Sequence, residues 1–273
     1  MKELLTRTIW GLLFALVLTL AIIAGPYTFG LLFLAISIFA LREFYALCRE
    51  AGYTPQVYPG LFVGAMIFIL SFFIAQESIP WHAYVYVLPI LYALPVFELF
   101  RKKDNTIANL SLTIFGIIYV SLPFSLLNFM GFHGIEGAYS YHYELIISLF
   151  LFVWASDTGG YLFGVKFGRH RLFERISPKK SWEGLLGGLI TSIFMAWILS
   201  KAFPEYRFLL LCEMAVLTTI IGTLGDLVES MIKRTIGVKD SGKFLPGHGG
   251  LLDRFDSILL AAPVIYFVFQ FFL

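Results

Sequence analysis

The chain has 273 residues, of which 59% are hydrophobic and 14% are charged. Soluble domains are about 45–50% apolar and about 25% charged, so this composition argues against a soluble globular protein, and 29 phenylalanines argue against a disordered chain. The net charge is only +2, and the two cysteines, both in apolar runs, offer neither a disulfide framework nor a CxxC metal site.

Nine stretches are long and apolar enough to cross a bilayer as helices, since a membrane helix needs about 20 mainly apolar residues. In chain order they are Thr8–Ala24, Thr28–Leu47, Tyr58–Ala75, Ala83–Phe100, Ile107–Met130, Leu145–Phe163, Gly184–Phe203, Phe208–Val228 and Leu251–Phe272. They lack the alternation of barrel strands. We predict an all-α polytopic integral membrane protein with about nine transmembrane helices, the first being an uncleaved span rather than a signal peptide.

The basic residues are distributed unevenly over the loops between these spans. If the N-terminus is placed on one side, 18 of the 20 Lys and Arg residues fall on that side, and only Lys201 and Arg207 fall on the other. The positive-inside rule assigns the richer side to the cytoplasm. This predicts a cytoplasmic N-terminus and, after nine spans, a C-terminus outside.

The first five spans have short connections and almost no buried charge. Glu98 lies near the end of the fourth span, and we interpret it as interfacial. The outer loop 131–144 contains His133, Glu136, His142 and Glu144, whose irregular spacing only weakly indicates a metal site and leaves the role of the histidines open. We predict one integral membrane domain, 1–273, with a hydrophobic helical bundle in 1–140 and a catalytic portion in 141–273.

The second half contains two long polar inner loops, roughly Gly164–Glu183 and Glu229–Gly250. Five of the six aspartates lie in or beside them: Asp157, Asp226, Asp240, Asp253 and Asp256. An Asp within a membrane span costs about 2.5–3.5 kcal/mol on insertion scales, so it usually has a partner or a function. A snorkelling carboxylate paired with a lysine could explain one such residue, but it is a weaker explanation for three.

The segment from Ser230 to Asp256 combines cations, glycines and carboxylates. Its cations are Lys233, Arg234, Lys239, Lys243 and Arg254, and such side chains bind phosphate oxygens. Gly247, Gly249 and Gly250 would let the backbone approach a ligand just before the ninth span, whose N-terminus favours phosphate.

Asp253 and Asp256 are three residues apart and share a helix face, and Asp226 is predicted at the same depth. Carboxylate oxygens suit Mg²⁺, so the segment predicts a site for a metal-bound polyphosphate. A basic patch for anionic lipids explains the charges but not the acids and glycines. For His248, the roles of base, metal ligand and turn residue stay open.

This segment resembles, position by position, the motif of phosphatidate cytidylyltransferases, also called CDP-diacylglycerol synthases. The matching residues are Ser230, Lys233, Arg234, Lys239, Asp240, Pro246, His248, Gly249, Gly250, Asp253, Arg254 and Asp256. Two further stretches are similar to the family: 157–161 with Gly164 and Gly168, and 177–184. Gly160 stands where the family has a small residue such as Ala. The resemblance is dense over 154–256, whereas the first 140 residues resemble the family only as a hydrophobic bundle.

The resemblance implies an enzyme that joins CTP and phosphatidic acid into CDP-diacylglycerol and pyrophosphate with Mg²⁺, and a second cation is an option. It implies catalytic roles for Asp226, Lys233, Arg234, Lys239, Asp253 and Asp256. The implied metal ligands are Asp226, Asp253 and Asp256, with Asp157 as a further candidate. The implied substrate-binding residues are Lys179, Lys180, Ser181, Ser230, Asp240, His248, Gly249, Gly250 and Arg254.

The expected setting is a bilayer, the cell inner membrane, with the active site facing the cytoplasm and no nucleic acid as partner. Gly184, Gly187 and Gly188 would allow close helix contact, either within one chain or in a homodimer. Three alternative functions share some of these sequence features. An ion-coupled transporter would explain intramembrane acids, but no inverted repeat is present. A CTP-using lipid kinase, or an enzyme that activates another phospholipid acid, is hard to separate by sequence. A CDP-alcohol phosphotransferase needs a different aspartate spacing.

Overall fold

The computed structural model describes residues 2–135, 138–242 and 249–270, and the chain is mainly helical within these ranges. The helices are α1 (Lys2–Ile23), α2 (Pro26–Glu50), α3 (Val57–Ala75), α4 (Val87–Arg101), α5 (Thr106–Gly116), α6 (Leu122–Gly131), α7 (Glu144–Phe167), α8 (Trp182–Ala202), α9 (Phe208–Ile236) and α10 (Leu252–Phe269). A 3₁₀ segment, Trp81–Tyr86, leads into α4, and a π-helical turn, Ile117–Ser121, joins α5 to α6.

Two short antiparallel hairpins interrupt the helical pattern, a feature that the all-α prediction did not include. One consists of β1 (Phe132–Ile135) and β2 (Ala138–Tyr141), and the other of β3 (Arg171–Phe173) and β4 (Ser177–Ser181). Each hairpin lies in a loop between predicted spans, so the connections at both ends of α7 are structured.

Seven described helices are long and apolar enough to cross a membrane by length and composition. They coincide with the second to eighth predicted spans, α5 and α6 counting as one. The first and ninth predicted spans coincide with α1 and α10. The apolar described part of α1 is shorter, Thr8–Ile23, and α10 carries three charged residues in its first five positions. The prediction of a polytopic helical membrane protein is confirmed, whereas the count of nine and the orientation stay predictions.

One apolar core contains side chains from both predicted portions of the chain. Phe255 of α10 belongs to this core, and its ring lies 6.3 Å from Phe33 of α2, 5.2 Å from Phe124 of α6 and 6.1 Å from Phe150 of α7. Since Phe255 is fully buried, it fixes the rotation of α10. Asp253 and Asp256, on either side of it in sequence, are positioned by this packing.

Helices α7 and α8 pack closely because small residues line their interface. A Cβ on Gly187 would collide with Phe163, and a Cβ on Gly188 would lie 3.0 Å from the carbonyl oxygen of Ser156. A Cβ on Gly184 would lie 2.9 Å from the carbonyl oxygen of Gly160. The glycines at 184, 187 and 188 are thus used for contact within one chain.

Helix α9 is eight residues longer than the eighth predicted span. It ends at Gly237, which has φ +85°, and the amides of Gly237 and Val238 donate to carbonyl oxygens of the last turn. A glycine in the left-handed conformation is a common helix end. The polar residues from Glu229 to Arg234, assigned to a loop by sequence, therefore lie on the same rigid helix as Asp226.

Candidate active site

A cavity of about 240 Å³ opens between α7, α8 and α9 and the β3–β4 hairpin. Asp157 of α7, Lys179 and Lys180 of β4, and Asp226 of α9 line it. Its deeper wall is formed by glycines and by the hydroxyl residues Thr218, Thr219 and Ser257. The cavity therefore brings together cations and carboxylates that the sequence places in three separate stretches.

Lys180 is the main contact between the hairpin and α9. Its Nζ lies 2.5 Å from Oδ2 of Asp226 and donates to the carbonyl oxygen of Thr223 at 3.4 Å. The other oxygen of Asp226, Oδ1, accepts a hydrogen bond from Ser230 Oγ at 3.2 Å. Three predicted site residues thus form one hydrogen-bonded group at the cavity wall.

Three carboxylates repel one another at this place. Asp157 interacts electrostatically with Asp226, and Asp256 interacts with both of them. Lys180 offsets part of this repulsion, and Arg254 also acts on Asp157. Carboxylates held together in this way are stabilised by an added cation.

Asp253 has different partners, although it is only three residues from Asp256. Its Oδ1 lies 2.5 Å from Lys233 Nζ, and its Oδ2 accepts hydrogen bonds from the amides of Ser241 at 2.9 Å and Gly250 at 2.7 Å. Lys233 is in turn 2.8 Å from Glu229, which is fully buried. Both oxygens of Asp253 are therefore engaged, and the carboxylate ties the two described ends of the α9–α10 loop to α10.

Glu43 of α2 contacts the same loop from the other half of the chain. Its Oε2 accepts a hydrogen bond from the amide of Leu252 at 2.8 Å and one from Ser241 Oγ at 3.5 Å. A Cβ on Gly242 or on Gly250 would lie 2.6 Å from a Glu43 oxygen. Glu43 is not predictable as a site residue from the sequence, because its only local signal is an acidic residue near the end of an apolar helix.

Gly249 and Gly250, predicted to bind substrate, are required by the packing of this loop. Gly249 has φ +82°, and a Cβ on it would lie 2.6 Å from Oδ2 of Asp253. The Gly250 amide is used by Asp253. His248, together with Lys243, Pro246 and Gly247, lies outside the described residues, so its predicted role stays a prediction.

The remaining predicted site residues form fewer hydrogen bonds than Asp226 and Asp253 do. Arg234, Lys239, Asp240 and Arg254 are exposed. Arg234 donates to the carbonyl oxygen of Val238 at 3.1 Å. Ser181 is the N-cap of α8, and its Oγ accepts a hydrogen bond from the amide of Gly184 at 3.1 Å. Ser181 therefore has a structural role as well as a place in the cavity wall.

Glu183 fixes the hairpin that carries the two cavity lysines. Its carboxylate accepts hydrogen bonds from the amides of Arg169 at 3.1 Å and His170 at 3.2 Å, and it lies 2.6 Å from His170 Nδ1. These contacts connect the end of α7 to the start of α8. The position of Lys180 is thereby determined at both ends of the hairpin.

No three His, Cys, Asp or Glu side chains within the described ranges form a ready-made metal site. Mg²⁺ commonly uses only one or two carboxylates and takes its other ligands from water and substrate phosphates. Asp226 and Asp256, hard oxygen donors in a group with excess negative charge, fit that chemistry. Asp157 is exposed beside them, whereas Asp253 would have to exchange its present partners.

His133, from the loop predicted to be outside, lies in β1 and has a hydrogen-bonding role there. His133 Nδ1 lies 3.1 Å from the carbonyl oxygen of Met130, so Nδ1 donates there, and Nε2 accepts from the Tyr206 hydroxyl at 2.9 Å. Burial and the neighbouring His142 lower the pKa of His133 to about 4. Glu136 lies outside the described residues.

Glu98 is buried at the end of α4 and is not solvated as an interfacial residue would be. It lies 2.7 Å from Arg101 and accepts a hydrogen bond from Gln56 Nε2 at 2.6 Å. Arg101 also donates to the carbonyl oxygen of Thr54 at 2.7 Å. This group joins α4 to the start of α3, away from the cavity.

Known proteins are similar in sequence to nearly the whole of this chain. The model of the family described as "Cytidylyltransferase family" matches residues 5–272. A protein named phosphatidate cytidylyltransferase from Staphylococcus haemolyticus is 32% identical over 264 residues, which is 95% of this chain and 96% of that protein.

Two other similar proteins carry the same name. The one from Synechocystis is 33% identical over 279 residues and covers 93% of this chain and 92% of its own length. The one from Staphylococcus aureus strain COL is 36% identical over 214 residues, with 76% and 77% covered. The similarity therefore includes the amino-terminal helices, where the sequence motifs are absent.

Proposed function

The chain belongs to the cytidylyltransferase family, and from this premise we propose that it condenses CTP with phosphatidic acid to give CDP-diacylglycerol and pyrophosphate. The observation that supports this most is the cavity at which Lys179 and Lys180 meet Asp157 and Asp226. An anionic nucleotide and an anionic lipid headgroup both need cations nearby. The hydrophobic helices around the cavity provide access for a lipid.

In the proposed reaction, a phosphate oxygen of phosphatidic acid forms a bond to the α-phosphorus of CTP. The bond between that phosphorus and the oxygen bridging to the β-phosphate breaks, and pyrophosphate leaves with the electron pair. The attacking oxygen is already anionic, so the reaction needs no strong general base. Catalysis consists mainly of positioning and of stabilising the charge that develops on phosphate oxygens.

The lysines of the hairpin are the proposed phosphate ligands. Lys180 could exchange its contact with Asp226 for a phosphate oxygen, since its side chain reaches both the carboxylate and the cavity. Lys179 lies next to it, and Arg254 is exposed at the α10 end. Lys233, Arg234 and Lys239 stay proposed contributors, with Lys233 acting through Asp253 and Glu229.

We propose that Mg²⁺ is held by Asp226 and Asp256, with Asp157 beside them. Bound there, Mg²⁺ would polarise phosphate oxygens and neutralise charge on the leaving pyrophosphate. Asp253 and a second cation remain part of the proposal. The site would face the cytoplasm from the inner membrane, because the basic loops that carry it are predicted to be inside.

The experiment that tests this function uses purified protein in detergent with phosphatidic acid, CTP labelled at the α-phosphorus, and Mg²⁺. We expect label to move into lipid with release of pyrophosphate, and we expect EDTA to stop the transfer. Transfer of γ-phosphate label to a lipid alcohol would show a kinase instead. No transfer from folded protein with several phospholipid acids would overturn the proposal.

A pair of variants connects the activity to the cavity. Asp226→Asn removes the charge that faces Lys180 and should lower the rate about 100-fold or more. Asp104→Asn makes the same chemical change at an exposed position in another basic loop and should leave the rate unchanged. Equal rates for both variants would remove Asp226 from the proposed site.

A further inference from the structure

A second cavity lies on the outer surface of α2, where this helix packs beside α3. Its volume is about 360 Å³, and Arg42 and Arg49 line it. The two arginines are seven residues apart, so they project from nearly the same face of the helix. They line no part of the cavity between α7, α8 and α9.

Both arginines lack protein acceptors within the described residues. They are exposed, and neither forms a hydrogen bond or an ion pair with another described side chain or carbonyl. By contrast, Arg101 at the end of α4 pairs with Glu98 and donates to the carbonyl oxygen of Thr54. Two guanidinium groups that face one cavity therefore have their hydrogen-bonding capacity available.

The rest of this cavity is apolar. Ile38 and Phe39, one turn before Arg42 on α2, and Leu61 on α3 form its walls. Tyr58 stands at the rim with 84% of its surface exposed. The cavity thus has a cationic end towards the C-terminus of α2 and an apolar end towards the middle of the helix.

Helix α2 is one of the helices long and apolar enough to span a membrane. Arg42 lies eight residues before its last residue, about 12 Å along the axis at 1.5 Å per residue. An arginine at that depth on a lipid-facing surface is costly unless it reaches water or an anion. Snorkelling explains Arg49 near the helix end, but it does not explain why both side chains face the same half-apolar cavity.

We propose that this groove, defined by Ile38, Phe39, Arg42, Arg49 and Leu61, binds one anionic phospholipid. The phosphate of the headgroup lies between the two guanidinium groups, which suit phosphate oxygens because each can donate two parallel hydrogen bonds. An acyl chain lies along the apolar walls. Free phosphate would leave those walls without an occupant, so the groove is a lipid site.

The groove is separate from the chemistry proposed above and does not depend on it. Glu43, next to Arg42 in sequence, points to the α9–α10 loop and contacts Leu252 and Ser241. A lipid held at Arg42 would therefore lie against the helix that supports this loop. The inference concerns lipid binding, so a binding measurement tests it independently of turnover.

The test uses the full chain in a mild neutral detergent, incubated with phosphatidylglycerol and phosphatidylcholine of identical acyl chains. Lipid retained per protein is measured by native mass spectrometry. We expect one retained phosphatidylglycerol, favoured at least tenfold over phosphatidylcholine. The double variant Arg42→Gln/Arg49→Gln should lose this retention at least tenfold.

The matched control is Lys102→Gln/Lys103→Gln, which removes the same charge from an exposed pair in a loop predicted on the same side of the membrane. It should retain phosphatidylglycerol as the unaltered chain does. Equal retention by all three proteins, or equal loss in both double variants, would overturn the proposal.

Two further measurements keep the result decisive. If the double arginine variant does not elute as folded protein, the single variants Arg42→Gln and Arg49→Gln are measured instead. Each should retain severalfold less phosphatidylglycerol than the unaltered chain. Unchanged retention in both single variants would overturn the proposal. Adding inorganic phosphate in about a thousandfold molar excess over the protein should leave the lipid bound. Displacement by phosphate would show a site for free anions.

Discussion

At the scale of single residues, Glu43 shows how a side chain far from the sequence motif can hold the site. It accepts a hydrogen bond from Leu252 at the start of α10 and lies against Gly242 and Gly250. The first amides of a helix have no partners within it, so an acceptor there stabilises the helix start. Glu43 is therefore a positioning residue for Asp253 and Asp256.

We predict that Glu43→Ala lowers kcat/KM for the proposed reaction by about 5- to 150-fold, the equivalent of about 1–3 kcal/mol for a buried donor left without an acceptor. Glu43→Gln keeps an oxygen for Leu252 and should recover part of the loss. Steady-state kinetics measure kcat/KM for both variants, and thermal unfolding measures their stability. Glu50→Gln, exposed on the same helix, is the control, and a loss as large as that of Glu43→Ala would contradict the role.

The two aspartates of α10 should respond differently to the same substitution. Asp253→Asn breaks the contact with Lys233 and weakens the clamp on Ser241 and Gly250, so we expect loss of turnover with a fall in stability of about 1–3 kcal/mol. Asp256→Asn relieves repulsion with Asp226 and should lose turnover without that fall. Melting temperature and turnover, measured on both variants, distinguish them. A destabilised Asp256→Asn beside a stable Asp253→Asn would reverse these assignments.

The motif identified the residue types of the site but not their partners. Asp226 and Lys180 were both predicted, yet their direct contact joins residues 46 positions apart on α9 and β4 and has no periodic signal in the sequence. Glu229 was left out because a buried acid is recognisable only from its surroundings. Residue chemistry could be predicted locally, whereas pairing depends on how the helices pack.

At the scale of elements, the α7–α8 pair sets the width of the cavity. Gly184, Gly187 and Gly188 let the backbones approach, and Asp157 and Lys180 both line the cavity beside this interface. Small residues at helix interfaces of membrane proteins allow contacts of this kind. The glycine pattern was visible in sequence, but only the structure assigns it to contact within the chain.

We predict that Gly187→Ala destabilises the protein by about 1–3 kcal/mol, because its methyl group would overlap Phe163. Gly160→Ala lies in the same interface, but its Cβ would be 3.6 Å from the nearest atom, the carbonyl oxygen of Gly184. It should be tolerated. Thermal unfolding of both variants is the measurement, and equal stability would show that α7 and α8 can separate without cost.

We expect the β1–β2 hairpin, at the opposite end of the bundle from the cavity, to make the stability of the protein depend on pH. Burial lowers the pKa of His133 to about 4, below the value of about 6.5 expected in the unfolded chain. Protonation therefore favours unfolding, and stability is lost as pH falls from about 6.5 towards 4, by up to about 3 kcal/mol. Burial also raises the pKa of Tyr206, which stays a neutral donor to His133.

We predict that the difference in melting temperature between pH 7 and pH 5 shrinks in His133→Gln, which cannot be protonated. His82→Gln changes an exposed histidine in another predicted outer loop and should keep the full difference. An unchanged pH dependence in His133→Gln would assign the acid sensitivity to other groups.

The sequence predicts the existence of the helices better than it predicts where they end. Apolar length placed all nine predicted spans on helices, since bilayer thickness fixes that signal. It stopped α9 at Val228, because polar residues follow, although Gly237 was an available end signal. The hairpins were missed because four-residue strands in polar loops lack a repeating pattern.

At the scale of the whole molecule, hydrogen bonds and ion pairs connect the basic loops at one end of the helical bundle. Glu43 meets Ser241 and Leu252 there, and Lys180 meets Asp226. At the other end, Tyr141 donates to the carbonyl oxygen of Ile22, and His133 accepts from Tyr206. The predicted alternation of inner and outer loops is consistent with this grouping.

The orientation itself can be measured by labelling single cysteines in intact cells or spheroplasts. In a chain with Cys48 and Cys212 replaced by alanine, Glu77→Cys should react with a membrane-impermeant maleimide, and Lys102→Cys should react only after permeabilisation. Both positions are exposed. The reverse labelling pattern would place the cavity on the outer side and contradict the predicted topology.

The contact between Glu43 and Leu252 also has a consequence in time. It joins residues 209 positions apart, and at a synthesis rate of about 5–20 residues per second the second partner follows the first by roughly 10–40 s. During that interval α2 can enter the membrane while its carboxylate still lacks the amide that it will accept from. The nascent amino-terminal half must therefore carry this acid solvated or protonated until the last helix arrives.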